Sequence, residues 1–289
     1  MKIALGTAQF GLDYGVANQS GRVPLKEVKK ILQQAFAHGV DTIDTAIAYG
    51  DSESVLGEAG VSGWNIVTKL PAVPDNCSDL SAWVDSQIQQ ALVRLQVDHL
   101  YGVLLHRPDQ LLCKTYGNSL FKALQRLKKN GVTSKIGVSI YEPSELEVLW
   151  PEFQIDLVQA PFNIIDRRLM SSGWLARMHA AGTEVHVRSV FLQGLLLMTP
   201  KKRLKNFANW QDLWSEWEKW LAAEQLTPVQ ACLAFVLSYP EVSRVVVGVD
   251  CIGQLTEILA AIPVKPINSP NSIESADILL INPSKWKKQ

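Results

Sequence analysis

The sequence predicts an α/β protein: a (β/α)8 TIM barrel in a single domain, with an inserted helical segment after the seventh strand. Three observations lead there. Short apolar runs alternate with helical segments almost from end to end, the pattern of parallel βα units. The runs number eight. Polar side chains able to do chemistry stand at or just beyond the C-terminal ends of several runs, where such barrels keep their active sites. The length of 289 residues suits one barrel, which commonly uses about 250 residues.

The runs predicted as strands are Ile3–Leu5, Thr42–Asp44, Asn65–Thr68, Leu100–Leu105, Lys135–Val138, Leu157–Gln159, Glu184–Arg188 and Arg244–Val247. Between the first two, Pro24-Leu25-Lys26-Glu27 opens a helix. Its apolar positions Val28, Ile31, Leu32 and Ala35 follow a 3.6-residue period, and Gly39 closes it. Ser78-Asp79 is placed to cap the segment that ends near Leu95. Thr227-Pro228 puts proline in a first helical turn, and Tyr239-Pro240 ends that helix.

Residues 199–225 break the rhythm and carry Trp210, Trp214, Trp217 and Trp220. They follow a strand on the expected catalytic face, where loops carry specificity. Two readings stand: an extra helix packing its tryptophan stripe onto the barrel wall, which is favoured, or a substrate lid. The tail, 269–289, ends Trp-Lys-Lys-Gln and shows no clear pattern. It is expected to cover part of the barrel or to stay partly mobile.

Composition excludes several classes. Lys plus Arg equals Asp plus Glu at 28 each, so no net field draws nucleic acid or an acidic membrane. Lys201-Lys202-Arg203 is too short for a nucleic-acid stripe. Cys77, Cys113, Cys232 and Cys251 lack the spacing of a disulfide framework or a zinc site, so neither a structural metal nor crosslinks are expected. The N-terminus enters a strand without the apolar stretch of a signal peptide, and no run approaches the ~18 residues of a membrane span. A cytoplasmic protein is expected.

The chemistry concentrates in Asp44-Thr-Ala-Ile-Ala-Tyr49-Gly50, in Lys69 and in His106. An acid, a phenol, an amine and an imidazole brought together form a proton-donating site. A free tyrosine phenol, with a pKa near about 10, is too weak an acid to be ideal at neutral pH. A neighbouring ammonium, Lys69, lowers it, and Asp44 pairs with Lys69 to hold that charge in a low-dielectric pocket. His106 is placed to hydrogen-bond a substrate oxygen and Tyr49 to deliver the proton. Each residue alone has a plainer use: Asp44 as a helix cap near Ser52, Lys69 reaching solvent, His106 and Tyr49 as packing groups. The four together are hard to place by accident.

These contexts resemble the aldo-keto reductase superfamily. Asp-Thr-Ala-x-x-Tyr-Gly, a strand-end Thr-Lys and Leu-Leu-His-x-Pro-Asp occur in order. Weaker matches follow at Gly137-Val138-Ser139, Val158-Gln159, Ser189 with Gly194-Leu195-Leu196, and Val247-Gly248 with Gln254-Leu255, so the resemblance spans about residues 3 to 260. It implies a catalytic tetrad of Asp44, Tyr49, Lys69 and His106, and reduction of an aldehyde or ketone with NADPH. No GxGxxG follows a strand, so a Rossmann domain is not indicated. By the resemblance, Ser139 and Gln159 hold the nicotinamide carboxamide, and Ser189, Leu195 and the backbone near Gly248 approach the pyrophosphate. Gln254 belongs to the same cofactor region.

Three departures bear on the cofactor. Ile140 stands where many relatives have Asn, and Arg188 where they stack an aromatic ring on nicotinamide; a guanidinium can also stack there, or meet a phosphate or an acidic substrate. The stretch 248–254 lacks the Lys and Arg that often grip the 2′-phosphate, and Ile258 replaces a frequent Asn. NADP is the expected cofactor, with NAD as the other possibility, and Asp250 is placed to repel the phosphate. The rival reading is a reductase-like barrel serving as a regulatory or binding subunit with vestigial turnover. A lyase or isomerase using Lys69 as a Schiff-base amine ranks lower, because Asp44 would keep that amine protonated. Gln9, Phe10, Tyr14, Phe162 and Asn163 are candidate substrate-lining residues; Arg107 and Arg167 are read as solvated rim charges, the other reading being attraction of an acidic or sugar-phosphate substrate. The sequence leaves the carbonyl substrate and the oligomeric state open.

Overall fold

Eight parallel strands close into a barrel in chain order, each bonded to the next and the eighth to the first. They are β1 (Ile3–Gly6), β2 (Thr42–Asp44), β3 (Asn65–Leu70), β4 (Leu100–Leu105), β5 (Thr133–Ser139), β6 (Leu157–Pro161), β7 (Glu184–Arg188) and β8 (Arg244–Gly248). This is a computed structural model, and it describes residues 1–18, 20–203, 205–262 and 267–286. The end of the tail, 287–289, lies outside the described residues.

Every predicted strand is present, and several run further than the apolar runs alone indicate. β3 continues through Lys69 to Leu70, so Lys69 sits inside the strand rather than beyond its end. The reason is the barrel's two-sided register. Lys69 pairs along the ladder with Leu104, while its neighbour Thr68 pairs with Val103 and donates to Glu53 on the outer side. An inward-facing charge thus occupies a position that periodicity alone reserves for an apolar residue.

The helix Leu25–Ala37 buries Val28, Ile31, Leu32 and Ala35 as the period requires. Asp79 caps Leu80–Leu95 by accepting from the Ala82 N–H, and Thr227 with Gln230 forms a capping box on Pro228–Leu237. Most of the apolar core lies between strands and helices. Inside the barrel Val67, Leu104 and Leu157 form a small separate layer. At the N-terminal end the Tyr101 hydroxyl donates to Glu184, which also pairs with Lys135 and His186. The other end is left for chemistry.

The tryptophan-rich segment forms a helix, Gln211–Glu224, in which Trp214 and Trp217 are each 1% exposed. Its partner is largely the C-terminal tail. The Trp220 indole donates to the Asn268 carbonyl and Trp210 to the Asp277 carboxylate, while the rings of Phe207 and Trp286 meet edge to face at 4.9 Å. The tail therefore covers the barrel's side: Ile273, Leu280 and Ile281 are buried. Arg167, read as a rim charge, is instead almost fully buried and clamps this tail, donating to Ile164 O, Pro270 O and Asn271 Oδ1. Arg107 does lie exposed, paired with Asp109. Among the described residues no single helix is long and apolar enough to cross a membrane.

One close approach matters for the site. Gly11, at the end of the short helix Ala8–Gly11, lies so near the turn after β2 that a Cβ there would collide with the Tyr49 carbonyl oxygen and the Ser52 N–H. Gly50, at φ +55°, meets the Gly11 carbonyl in return. Ser52 adds hydrogen bonds to Thr7 O and Thr7 Oγ1, both at 2.9 Å. The turn carrying Tyr49 is thus pressed backbone to backbone against the loop after β1.

Removing a large buried side chain tests whether the tryptophan stripe is a packed core. Trp217→Ala is expected to cost about 3–5 kcal/mol, read as a lowered denaturation midpoint. A loss below about 0.5 kcal/mol, the range of surface substitutions, would show that the stripe is not a packed core.

Candidate active site

At the C-terminal end of the barrel, β2 delivers Asp44 and β3 delivers Lys69 to one point. The Lys69 ammonium donates to both Asp44 oxygens at 2.8 Å and to the Thr45 carbonyl at 2.8 Å, using all three of its protons. Gln159 Nε2 donates to Asp44 Oδ1 at 2.6 Å, and Ser139 Oγ donates to Gln159 Oε1 at 3.2 Å. Lys69 is fully buried and Asp44 nearly so. Above this pair, Lys69 Nζ lies 5.1 Å from the centroid of the Tyr49 ring. His106 stands just past β4, where its main-chain N–H donates to the Leu70 carbonyl, and its ring meets Tyr49 edge to face at 5.7 Å. The four residues predicted to converge do so.

Their electrostatics differ from the sequence expectation in one respect. Burial, then the Asp44 carboxylate, push the Tyr49 phenol above its ordinary value, and the cation that opposes them is Arg188. Lys69 was expected to lower this phenol. Its charge is instead engaged by Asp44, so the pair offers Tyr49 little net positive field. Burial also pulls the Lys69 ammonium below the usual lysine value, and Asp44 opposes that pull. His106 is held at about 4, first by burial and then by Lys69. It is a neutral imidazole at pH 7.

Tyr49, His106 and Asp44 open onto a cavity of about 730 Å³, within the roughly 300–1,000 Å³ of small-molecule and cofactor sites. The cavity runs from these residues past Ser139, Tyr141 and Arg188 to Gly248 at the end of β8 and to Asp250, Gln254 and Glu257 beyond it. The loops after β1 and β7 form its remaining wall, where the Gln193 amide donates to the Tyr14 hydroxyl.

The sequence profile of the Aldo/keto reductase family matches residues 2–277. The chain belongs to this family. An uncharacterized oxidoreductase of Bacillus subtilis (strain 168) is 23% identical over 90% of this chain and 90% of its own length. A protein of Oryza sativa subsp. japonica described as a probable voltage-gated potassium channel subunit beta is 23% identical over 93% of this chain and 92% of its own. Among solved structures, the holo form of an aldo-keto reductase from Bacillus halodurans superposes with a TM-score of 0.73 at 19% identity, covering 92% of this chain and 88% of that one. That likeness is one of fold.

In this aldo/keto reductase, the residues that the resemblance assigns to cofactor binding divide. Ser139, Arg188, Ser189, Gly248 and Gln254 line the cavity. Leu195 does not: its side chain is fully buried in the core, and Gln193 and Gly194 hold the wall instead. The reason is local. Ser189, Leu192, Gln193 and Gly194 all take positive φ, and this irregular turn swings Leu195 inward. Gln159 is also fully buried, with both ends of its amide already bonded to Asp44 and Ser139. It positions the acid rather than facing the cavity.

Of the suggested substrate-lining residues, Gln9 and Tyr14 line the cavity, whereas Phe10, Phe162 and Asn163 are buried in the core or in loop hydrogen bonds. The Gln9 amide lies against Gly248, where a Cβ would collide with it. Lys202 and Tyr141 were missed as wall residues. Lys202 was visible only as part of a short basic triplet. No spacing rule links it to the site.

The His106 environment has a consequence for stability. Between about pH 6.5 and about 4 the unfolded chain binds a proton here that the folded chain refuses. Stability therefore falls as the pH drops through that window. His106→Gln is expected to lose less melting temperature across it than the parent protein. Equal slopes would mean that His106 is not desolvated.

Proposed function

We propose that the protein reduces an aldehyde or ketone to an alcohol using a reduced nicotinamide dinucleotide, with Tyr49 as the proton donor. The observation that carries this is the buried Asp44–Lys69 pair beneath the Tyr49 ring, with His106 edge-on beside it. The cavity residues fit such a cofactor. Lys202 offers a cation toward phosphates, and Asp250 carries a buried carboxylate oxygen, Oδ1, without a hydrogen-bond partner. A ribose hydroxyl would satisfy that oxygen; a 2′-phosphate would meet repulsion from Asp250 and Glu257. This balance favours NAD(H), although the resemblance alone points to NADP(H). Ser139, Ser189, Gln193, Gly194, Gly248 and Gln254 complete the wall that would hold the dinucleotide.

The bound nicotinamide would supply the hydride to the carbonyl carbon. Every other part falls to this chain's residues. Neutral His106 donates a hydrogen bond to the carbonyl oxygen, orienting it and stabilising the charge that develops there. Tyr49 transfers its phenolic proton to that oxygen, leaving a phenolate that solvent reprotonates through the cavity mouth. Arg188 is the cation that opposes the rise of the Tyr49 phenol, and Lys69, held by Asp44 and Thr45 O, closes the floor beneath the ring. Ser139 and Gln159 lock Asp44 so that the ammonium cannot drift. The four cysteines are free, in keeping with a reducing, cytoplasmic setting.

The likeness to a channel β-subunit motivates a second reading, a binding barrel with vestigial turnover. The satisfied Asp44–Lys69 pair and the converged phenol and imidazole favour catalysis. Fluorescence titration with NADH and NADPH, then turnover of an aldehyde panel, separates the two. Tyr49→Phe is expected to lower kcat by about 10²–10⁴-fold while dinucleotide affinity stays nearly constant. Comparable rates in the variant would remove Tyr49 from the acid role, and dinucleotide binding without single-turnover hydride transfer would favour the binding barrel.

A further inference from the structure

Arg188 has no counterpart in the proton-donating machinery as the sequence alone describes it, and its surroundings are unusual. It is the last residue of β7 and lines the cavity together with Tyr49, His106 and Tyr141. Its guanidinium lies over the Tyr141 ring, with Cζ 4.8 Å from the centroid. Its hydrogen bonds go to uncharged acceptors, the Ile140 carbonyl at 2.8 Å and the Ser189 hydroxyl at 3.4 Å. Among the described residues it forms no ion pair within 4.0 Å. A guanidinium has five N–H donors, so most of its donating capacity is uncommitted.

The charges around it make this consequential. Asp44 and Lys69 neutralise each other at 2.8 Å, and His106 is uncharged. The neighbouring carboxylate Glu145 is turned away, accepting from the Tyr141 and Glu142 N–H groups. Among the described residues, the reacting end of the cavity therefore holds one uncompensated positive charge, and it is Arg188. Stacking on Tyr141 and the bond to Ile140 O fix the fork in place, so little freedom is lost when a second planar group meets it. A fixed, partly desolvated guanidinium with free donors is matched by a carboxylate, which it can grip with two parallel hydrogen bonds.

We propose that Arg188 binds a carboxylate on the substrate, so that the carbonyl compound reduced here is an oxo acid. This rests on the reductase reading for the reaction, but not for the binding. The same charge also acts on Tyr49, where it opposes the rise of the phenol. The two differ in what they discriminate. A carboxylate site separates charged from neutral aldehydes, whereas support of the phenolate serves both alike.

The test compares 4-oxobutanoate with butanal, and 4-carboxybenzaldehyde with benzaldehyde. Calorimetric affinity is measured on the protein without dinucleotide, and kcat/KM with NADH or NADPH. The acid of at least one pair is expected to bind at least tenfold more tightly and to show a kcat/KM at least tenfold higher. Arg188→Met should bring both ratios close to one, chiefly through KM, and Arg188→Lys should restore part of them. Ratios near one in the parent protein would overturn the proposal. So would an equal fall in kcat for acid and neutral aldehyde in Arg188→Met with the ratios unchanged. Arg188-dependent preference in binding, with no turnover of any aldehyde, would keep the carboxylate site and sink the reductase reading instead.

Discussion

The buried ion pair between Lys69 and Asp44 is the constraint around which the rest of this site is arranged. Taking two charges out of water costs several kcal/mol per ion unless each is paired and hydrogen-bonded. Here each requirement is met: the ammonium spends its three protons on two carboxylate oxygens and one carbonyl, and the acid also accepts from Gln159. The chain of contacts continues to Ser139 on β5. Four strands, β2, β3, β5 and β6, are thus tied to one charge pair at the floor of the cavity. Satisfying the pair so fully also silences it. The phenol above sees little net positive field from below, and the balance of charge at the reacting end passes to a residue on β7.

The opposite wall is built on different terms. Where β7 ends, Ser189, Leu192 and Gln193 hold positive φ, a conformation that costs non-glycine residues of order 1–3 kcal/mol each. Such strain persists only where its surroundings over-determine it. The buried neighbours Leu192, Leu195 and Leu196 anchor the turn in the core, and Asn163 donates to the Ser189 carbonyl. The result places Gln193 and Gly194 against the loop after β1. One side of the cavity is rigid through electrostatics and strand pairing, and the other through packing beneath a strained turn.

Much of the architecture was legible because apolar periodicity and strand order are local properties. The eight runs, the caps at Asp79 and Thr227, and the convergence of Asp44, Tyr49, Lys69 and His106 all follow from short stretches of sequence read with barrel topology. What escaped depended on contacts between distant segments. Arg167 looks like any rim arginine until the tail returns to take its donors at Pro270 and Asn271. Leu195 matches a motif by position, yet the turn preceding it decides which way it faces. Lys202 belongs to the wall only because the segment after β7 folds back over the barrel mouth. The tryptophan stripe is buried in one core with the barrel, and the tail that also covers it carries no pattern of its own.

The backbone contact between Gly11 and the turn bearing Tyr49 has a bearing on how such a site can change. The phenol's position is set by main-chain atoms on both sides, with Ser52 and Thr7 as the polar fastening. Side chains elsewhere on that turn, such as Ala48 on the cavity wall, carry no share of this duty. They are free to vary with the molecule being handled while the acid stays where it is. Selectivity and reactivity are thereby separable within a turn of a few residues, and new preferences are open to this chain without rebuilding the chemistry beneath them.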